Sequence, residues 1–132
     1  ASHRIILNAL VEAGVPIMAG TDANVPAMVP GFSLHQELQA LQDADMTPQQ
    51  ALQATTQTPA RWSRQRTGIV DQGYKANLVL LRDNPLEDIA ATQSIEWVIK
   101  SGRLFDRDQL DQILTAVREA NDRSRTVSLE AF

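Results

Sequence analysis

Apolar residues recur at helical spacing from the start of the chain, at Ile5, Ile6, Ala9, Leu10 and Ala13, and Gly14 stands where a helix would be capped. Val15 to Ala19 follows as a short unbroken apolar run, the pattern of a strand covered on both faces, as in a parallel sheet. Pro16 is compatible with such a strand because it stands at its beginning. The run ends in the small, polar string Gly20-Thr21-Asp22-Ala23. Helix, tight turn, buried strand and polar terminus together predict an α/β architecture.

Residues 24–32 hold two prolines and one glycine and read as a loop. Ser33 with Gln36 has capping-box spacing and predicts a helix with Leu34, Leu38 and Leu41 on one face. Thr47-Pro48 with Gln50 opens the next helix, its proline at the first helical position. Thr58-Pro59 opens a third, short one through Trp62. The period changes near residue 66, where Gly68-Ile69-Val70 and Ala76 to Leu81 read as strands flanking a turn at Gln72-Gly73. Asn84 to Asp88 reads as a loop or a single helical turn, and Ile95 to Lys100 as a strand ended by Ser101-Gly102. From Asp106, the residues Leu110, Ile113, Leu114 and Val117 mark an amphipathic helix to about Asn121, with a tail from Thr126 to Phe132.

The 132 residues are 43% hydrophobic and 21% charged, which is ordinary for a globular chain. A net charge of −4 argues against nucleic-acid and anionic-membrane partners, and it counts against reading the helices of Thr47–Trp62 as a DNA-binding pair. The absence of cysteine excludes disulfides, thiolate zinc sites and thiol nucleophiles, and leaves the compartment open. Since Ala1 leads straight into a helical pattern, the chain is expected to be cut from a larger protein.

The string Ala13-Gly14-Val15-Pro16-Ile17-Met18-Ala19-Gly20-Thr21-Asp22-Ala23 resembles the last barrel strand of the amidohydrolase superfamily, in the branch of imidazolonepropionase-like enzymes and prolidase-type dipeptidases. The likeness continues through Ser33 to Leu38, Met46 to Leu52, Thr58 to Arg61, Ala76 to Leu81 and Asn84 to Ile89. Six pieces in the family's order carry a specificity that none has alone. The resemblance implies the C-terminal part of a (β/α)8 barrel, its last helix and strand plus following helices, over residues 1–65. It implies strands of a small composite β-sandwich domain over 66–105, and a C-terminal helix and tail over 106–132.

Within that resemblance Asp22 is the catalytic residue and a metal ligand, placed at the C-terminal end of a strand where barrel enzymes keep reactive groups. It takes a proton from the water that the metal activates and passes it to the leaving group. From the residues alone, an aspartate closing a turn after a strand is the commoner role. His35 is implied as a substrate contact near the barrel mouth; its alternative is a polar residue on the first turn of a helix. His3 belongs to no motif, Trp62 and Trp97 read as core or interface residues, and Asp106, Asp108 and Asp111 suit a helix N-terminus.

The implied cofactor is a divalent metal, zinc expected, one or two ions in the complete enzyme. A catalytic zinc takes about three protein ligands. The family's His-x-His pair is missing, so the isolated chain is expected to hydrolyse nothing and to hold no metal by itself. The implied reaction is cleavage of C–N bonds, including those of dipeptides ending in Pro, Arg or Lys. The implied partner is the N-terminal part of the enzyme or a complementing chain, with homo-oligomerisation expected. A reading from a different class is a non-catalytic, self-associating module. Three departures from the family pattern stand out: Asp45 for a glycine, Asn77 for an aspartate, and a shortened connection over Ser63–Thr67.

Overall fold

The computed structural model describes residues 2–23 and 28–130. Helix α1, Ser2–Glu12, ends as its apolar period predicts. Gly14 adopts φ 72°, and the N–H groups of Gly14 and Val15 return to the carbonyls of Val11 and Leu10 at 3.0 and 2.9 Å. Helices α2 (Phe32–Asp43), α3 (Pro48–Thr55) and α4 (Gln57–Trp62) follow. The left-handed position closing α2 is Asp45 (φ 72°) and that closing α4 is Arg64 (φ 56°). Aspartate tolerates this conformation better than most residues. Here its carboxylate also accepts hydrogen bonds from Arg4 Nε at 2.7 Å and Asn8 Nδ2 at 2.9 Å, tying α1 to the α2–α3 corner. A glycine could make the turn but not the tie.

Thr47 caps α3 as expected: its hydroxyl accepts from Gln50 N, while Gln50 Oε1 accepts from Thr47 N at 2.8 Å. The expected box at Ser33 is absent. Helix α2 begins two residues earlier, after Gly31 as its N-cap, without a side-chain cap. Ser33 is 3% exposed, and its Oγ has no hydrogen-bond partner among the described residues. A serine inside the first turn with its side chain turned inward cannot serve the helix end.

Two expected strands do not form. Val15–Ala19 is irregular, for no segment among the described residues supplies a ladder. Gly68-Ile69-Val70 is a bend pressed on the α3–α4 corner: Gly68 has φ +82°, and a Cβ there would lie 2.4 Å from the Thr56 carbonyl oxygen. The sheet is antiparallel, of strands β1 (Leu78–Leu81), β2 (Ile95–Lys100) and β3 (Arg103–Phe105), in that order. The unexpected β3 is only three residues long, too short to show a period. Leu80 opposes Trp97, Leu78 opposes Ile99, and Ile99 opposes Leu104, so one face is wholly apolar. Leu80, Trp97 and Leu104 on that face stay exposed. A register shift after Leu80 turns Ile95 to the other face. There Val98 and Ile95 meet Leu110, Ile113 and Leu114 of α5, Arg107–Glu130. The helix thus runs past Asn121 and takes in residues 126–130, the start of the expected tail; residues 131–132 lie outside the described residues.

Ile89, in a short 3-10 helix over Ile89–Gln93, is 1% exposed. It inserts among Leu38 and Leu41 of α2, Met46, and Ala51 and Ala54 of α3, with Leu7, Val11, Ile17 and Ala19 around them. Little else is buried. The accessible surface is 10115 Å², against about 6,900 Å² for a compact monomer of this mass. Trp62 is 77% exposed, so it is no core residue of this chain.

Replacing Ile89 with alanine is expected to cost about 2–5 kcal/mol in urea unfolding. The Asp45 carboxyl is held below its ordinary pKa by hydrogen bonds from Asn8 and Arg4. Its stabilisation is therefore present above the unfolded value of 3.8 and is lost as pH falls through the lower folded value. The melting-temperature gap between the protein and Asp45→Asn, clear at neutral pH, should close as the pH falls through that lowered value.

Candidate functional site

Between Pro16 and Ala23 burial alternates by residue. Ile17, Ala19, Thr21 and Ala23 are half-buried, whereas Met18, Gly20 and Asp22 are exposed. This is the period of an extended chain with one face covered. Ile17 and Ala19 pack on the α1–α3 core. Two hydrogen bonds hold the segment there: Ala19 N donates to the Ala54 carbonyl at 3.0 Å, and Gly20 N donates to Glu37 Oε1 at 3.3 Å. Asp22 belongs to the opposite, open face.

Asp22 has φ 46°, in the left-handed region, a conformation costing an L-residue on the order of 1 kcal/mol. Among the described residues its carboxylate makes no hydrogen bond. The charge is free to meet something beyond them, in water as the chain stands.

His35, on the first turn of α2, is half-buried. Its Nδ1 lies 3.0 Å from Thr92 Oγ1, which in turn donates to the Ile89 carbonyl at 2.9 Å. The ring borders a cleft of about 420 Å³ between Phe32, Ile95, Arg107, Leu110 and Ile113. Arg107 in that cleft is engaged with the Ile95 carbonyl at 3.1 Å and Asp111 at 2.6 Å. No hydrogen bond joins Asp22 and His35. Among the described residues no three His, Cys, Asp or Glu side chains cluster as a metal site. His3 is exposed, and Asp106 caps α5 by accepting from Gln109 N at 2.9 Å.

Two residues with a part in this arrangement were not singled out from the sequence. Glu37 lay inside the Ser33–Leu38 string, so a signal for it existed. Thr92 had none; only the fold brings it to His35 across 57 positions.

The amidohydrolase family model matches residues 1–105, and the chain belongs to that family. It is 37% identical over 111 residues to ochratoxinase of Aspergillus niger, covering 79% of this chain and 22% of that protein. The fold superposes on molinate hydrolase with TM-score 0.71 and 28% identity, over 79% of this chain and 26% of that one. It superposes on an Xaa-Pro dipeptidase with bound methionine at TM-score 0.68 and 30% identity, over 78% and 25%. The chain thus spans about a quarter of the length of these relatives.

If the left-handed backbone at Asp22 is uncompensated within this chain, Asp22→Gly should raise its stability by up to about 1 kcal/mol in a denaturant titration. A fall would reveal a stabilising contact of the carboxylate.

Proposed function

We propose that this chain is the C-terminal part of a metal-dependent amidohydrolase cleaving C–N bonds, with Asp22 as metal ligand and proton carrier and His35 as a substrate contact. The observation behind the reading is the open face that carries Asp22, backed by helices and, among the described residues, bare of a sheet neighbour on either edge. A barrel strand has helices on one side and the barrel interior on the other. In this reading residues 1–65 complete the barrel, residues 66–105 pair with β structure from elsewhere in the polypeptide, and residues 106–132 form the closing helix. The bare apolar face of Leu80, Trp97 and Leu104 suits a second sheet layer.

A bound divalent ion, zinc by preference and one or two in number, supplies Lewis acidity at the scissile carbonyl. Asp22 fits such an ion as one anionic oxygen ligand, exposed and unpaired within the described residues. Its carboxylate accepts a proton from the attacking water and returns it to the leaving nitrogen, which requires hydrogen-bond reach to both. The remaining ligands belong to polypeptide beyond these 132 residues, so the isolated chain is inactive. Similarity to the Xaa-Pro dipeptidase supports a peptide or acylamino substrate, a dipeptide ending in Pro, Arg or Lys being the specific form proposed.

The large exposed area also favours a second reading, a non-catalytic module that covers its apolar faces by self-association. The two separate in one experiment on the complete polypeptide, with metal content and hydrolysis of Xaa-Pro, Xaa-Arg and acylamino substrates measured together. The hydrolase reading expects stoichiometric divalent metal and a loss of at least about 10³ in kcat for Asp22→Asn. A metal-free, inactive oligomer would leave the module; activity unchanged in Asp22→Asn would remove Asp22 from the chemistry.

A further inference from the structure

Thr92 is 8% exposed, and its hydroxyl carries a single proton. Oγ1 lies 2.9 Å from the Ile89 carbonyl, which can only accept, so that proton points to Ile89. Placing it toward His35 instead would leave two acceptor oxygens facing each other in a buried setting. His35 Nδ1, 3.0 Å from the same Oγ1, must then be the donor. The direction of the relay is thereby set: Nδ1–H of His35 to Thr92 Oγ1, and Oγ1–H to the Ile89 carbonyl. In the neutral ring the lone pair is left on Nε2, which has no partner among the described residues. The ring itself forms part of the wall of the apolar cleft, where the Arg107 guanidinium is already bonded to Ile95 and Asp111.

We propose that Thr92 is a positioning residue that holds His35 in the Nδ1–H tautomer, so that Nε2 accepts a hydrogen bond from an N–H or O–H group of the substrate. The ligand chemistry follows from the two surfaces it would touch: a donor group for Nε2, beside an apolar moiety for the wall of Phe32, Ile95 and Leu110. This inference rests on the reading of His35 as a substrate contact, but the tautomer itself does not.

Long-range 1H–15N correlation on the 15N-labelled chain, recorded above the ordinary imidazole pKa, reads the tautomer directly. Two histidines are present, and exposed His3 reports the solvent-set mixture. His35 is expected to show a protonated Nδ1 and a bare Nε2, unlike His3. Thr92→Ser should keep that pattern, and Thr92→Val should move it to the mixture seen for His3. An Nε2–H ring in the unaltered protein, or an unmoved pattern in a folded Thr92→Val, overturns the proposal; a purely structural Thr92 would cost stability without moving the tautomer. Should Thr92→Val fail to fold, the unaltered protein and Thr92→Ser still decide. In the complete hydrolase, Thr92→Val should raise KM roughly three- to tenfold with kcat less affected. Unchanged KM in His35→Ala would remove the substrate-contact reading while the tautomer result stood, so the two failures are distinguishable.

Discussion

The insertion of Ile89 between α2 and α3 is the contact on which the arrangement turns. Every other fully or nearly buried apolar residue in that cluster is a helix residue or lies at a helix boundary; Ile89 alone arrives from the sheet side. Local chemistry prepares it. Asn84 Oδ1 accepts from Leu86 N at 3.1 Å, and Asp88 Oδ1 accepts from Ala90 N at 2.9 Å, so the chain turns and caps a short helix as it enters the core. Alanines at 51 and 54 leave the room that the isoleucine fills. Three residues later Thr92 meets His35, so the packing contact and the polar contact share one turn of backbone. The setting of His35 is therefore a consequence of how the sheet is docked, and not a property of α2 alone.

The second constraint is what this chain leaves uncovered. A segment that buries alternate residues and finds no ladder partner has backbone groups that only water or another strand can satisfy. Its outward face, with Met18 and Asp22, is exposed among the described residues. The sheet repeats the problem at larger scale: α5 covers one face, while the face of Leu80, Trp97 and Leu104 is bare. Antiparallel sheets usually alternate apolar and polar when one side is to be wet. This one carries apolar residues on both, Ile95 and Val98 towards α5 and Leu80, Trp97 and Leu104 opposite, which suits two layers where one is supplied.

What the sequence disclosed tracks how local each cause is. Element ends were legible wherever the device lies within a few residues: Gly14 after α1, the Thr47–Gln50 box opening α3, and the stop of strand β2 after Lys100. Asp45 was legible as standing where the family pattern has a glycine, but its hold on Arg4 and Asn8 spans some forty residues and carries no local signature. Ser33 misled because capping-box spacing says nothing about which way a serine faces. Asn77 matched the family only loosely; its Oδ1 accepts from Ser101 N at 2.8 Å and closes the corner of the sheet, a role that an amide oxygen fills as well as a carboxylate. Val15–Ala19 had the composition of a buried strand, and its alternating burial keeps that imprint. Composition cannot supply the neighbours that would turn it into one. Of the candidate site, the position of Asp22 at a segment's end was readable, and the environment of His35 was not.

Two aspartates hold left-handed backbone here, and the contrast between them bears on function. Asp45 offsets its conformational cost locally, with one guanidinium and one amide bound to its carboxylate. Asp22 adopts a similar φ with no such return among the described residues. A glycine would fit that turn at less cost, so what the carboxylate contributes lies beyond the described residues. Backbone strain without local compensation gathers where a group is held ready for a ligand. An exposed anion on the uncovered side of a helix-backed segment, in a chain that belongs to the amidohydrolase family, has the setting that the proposed metal-ligand role demands.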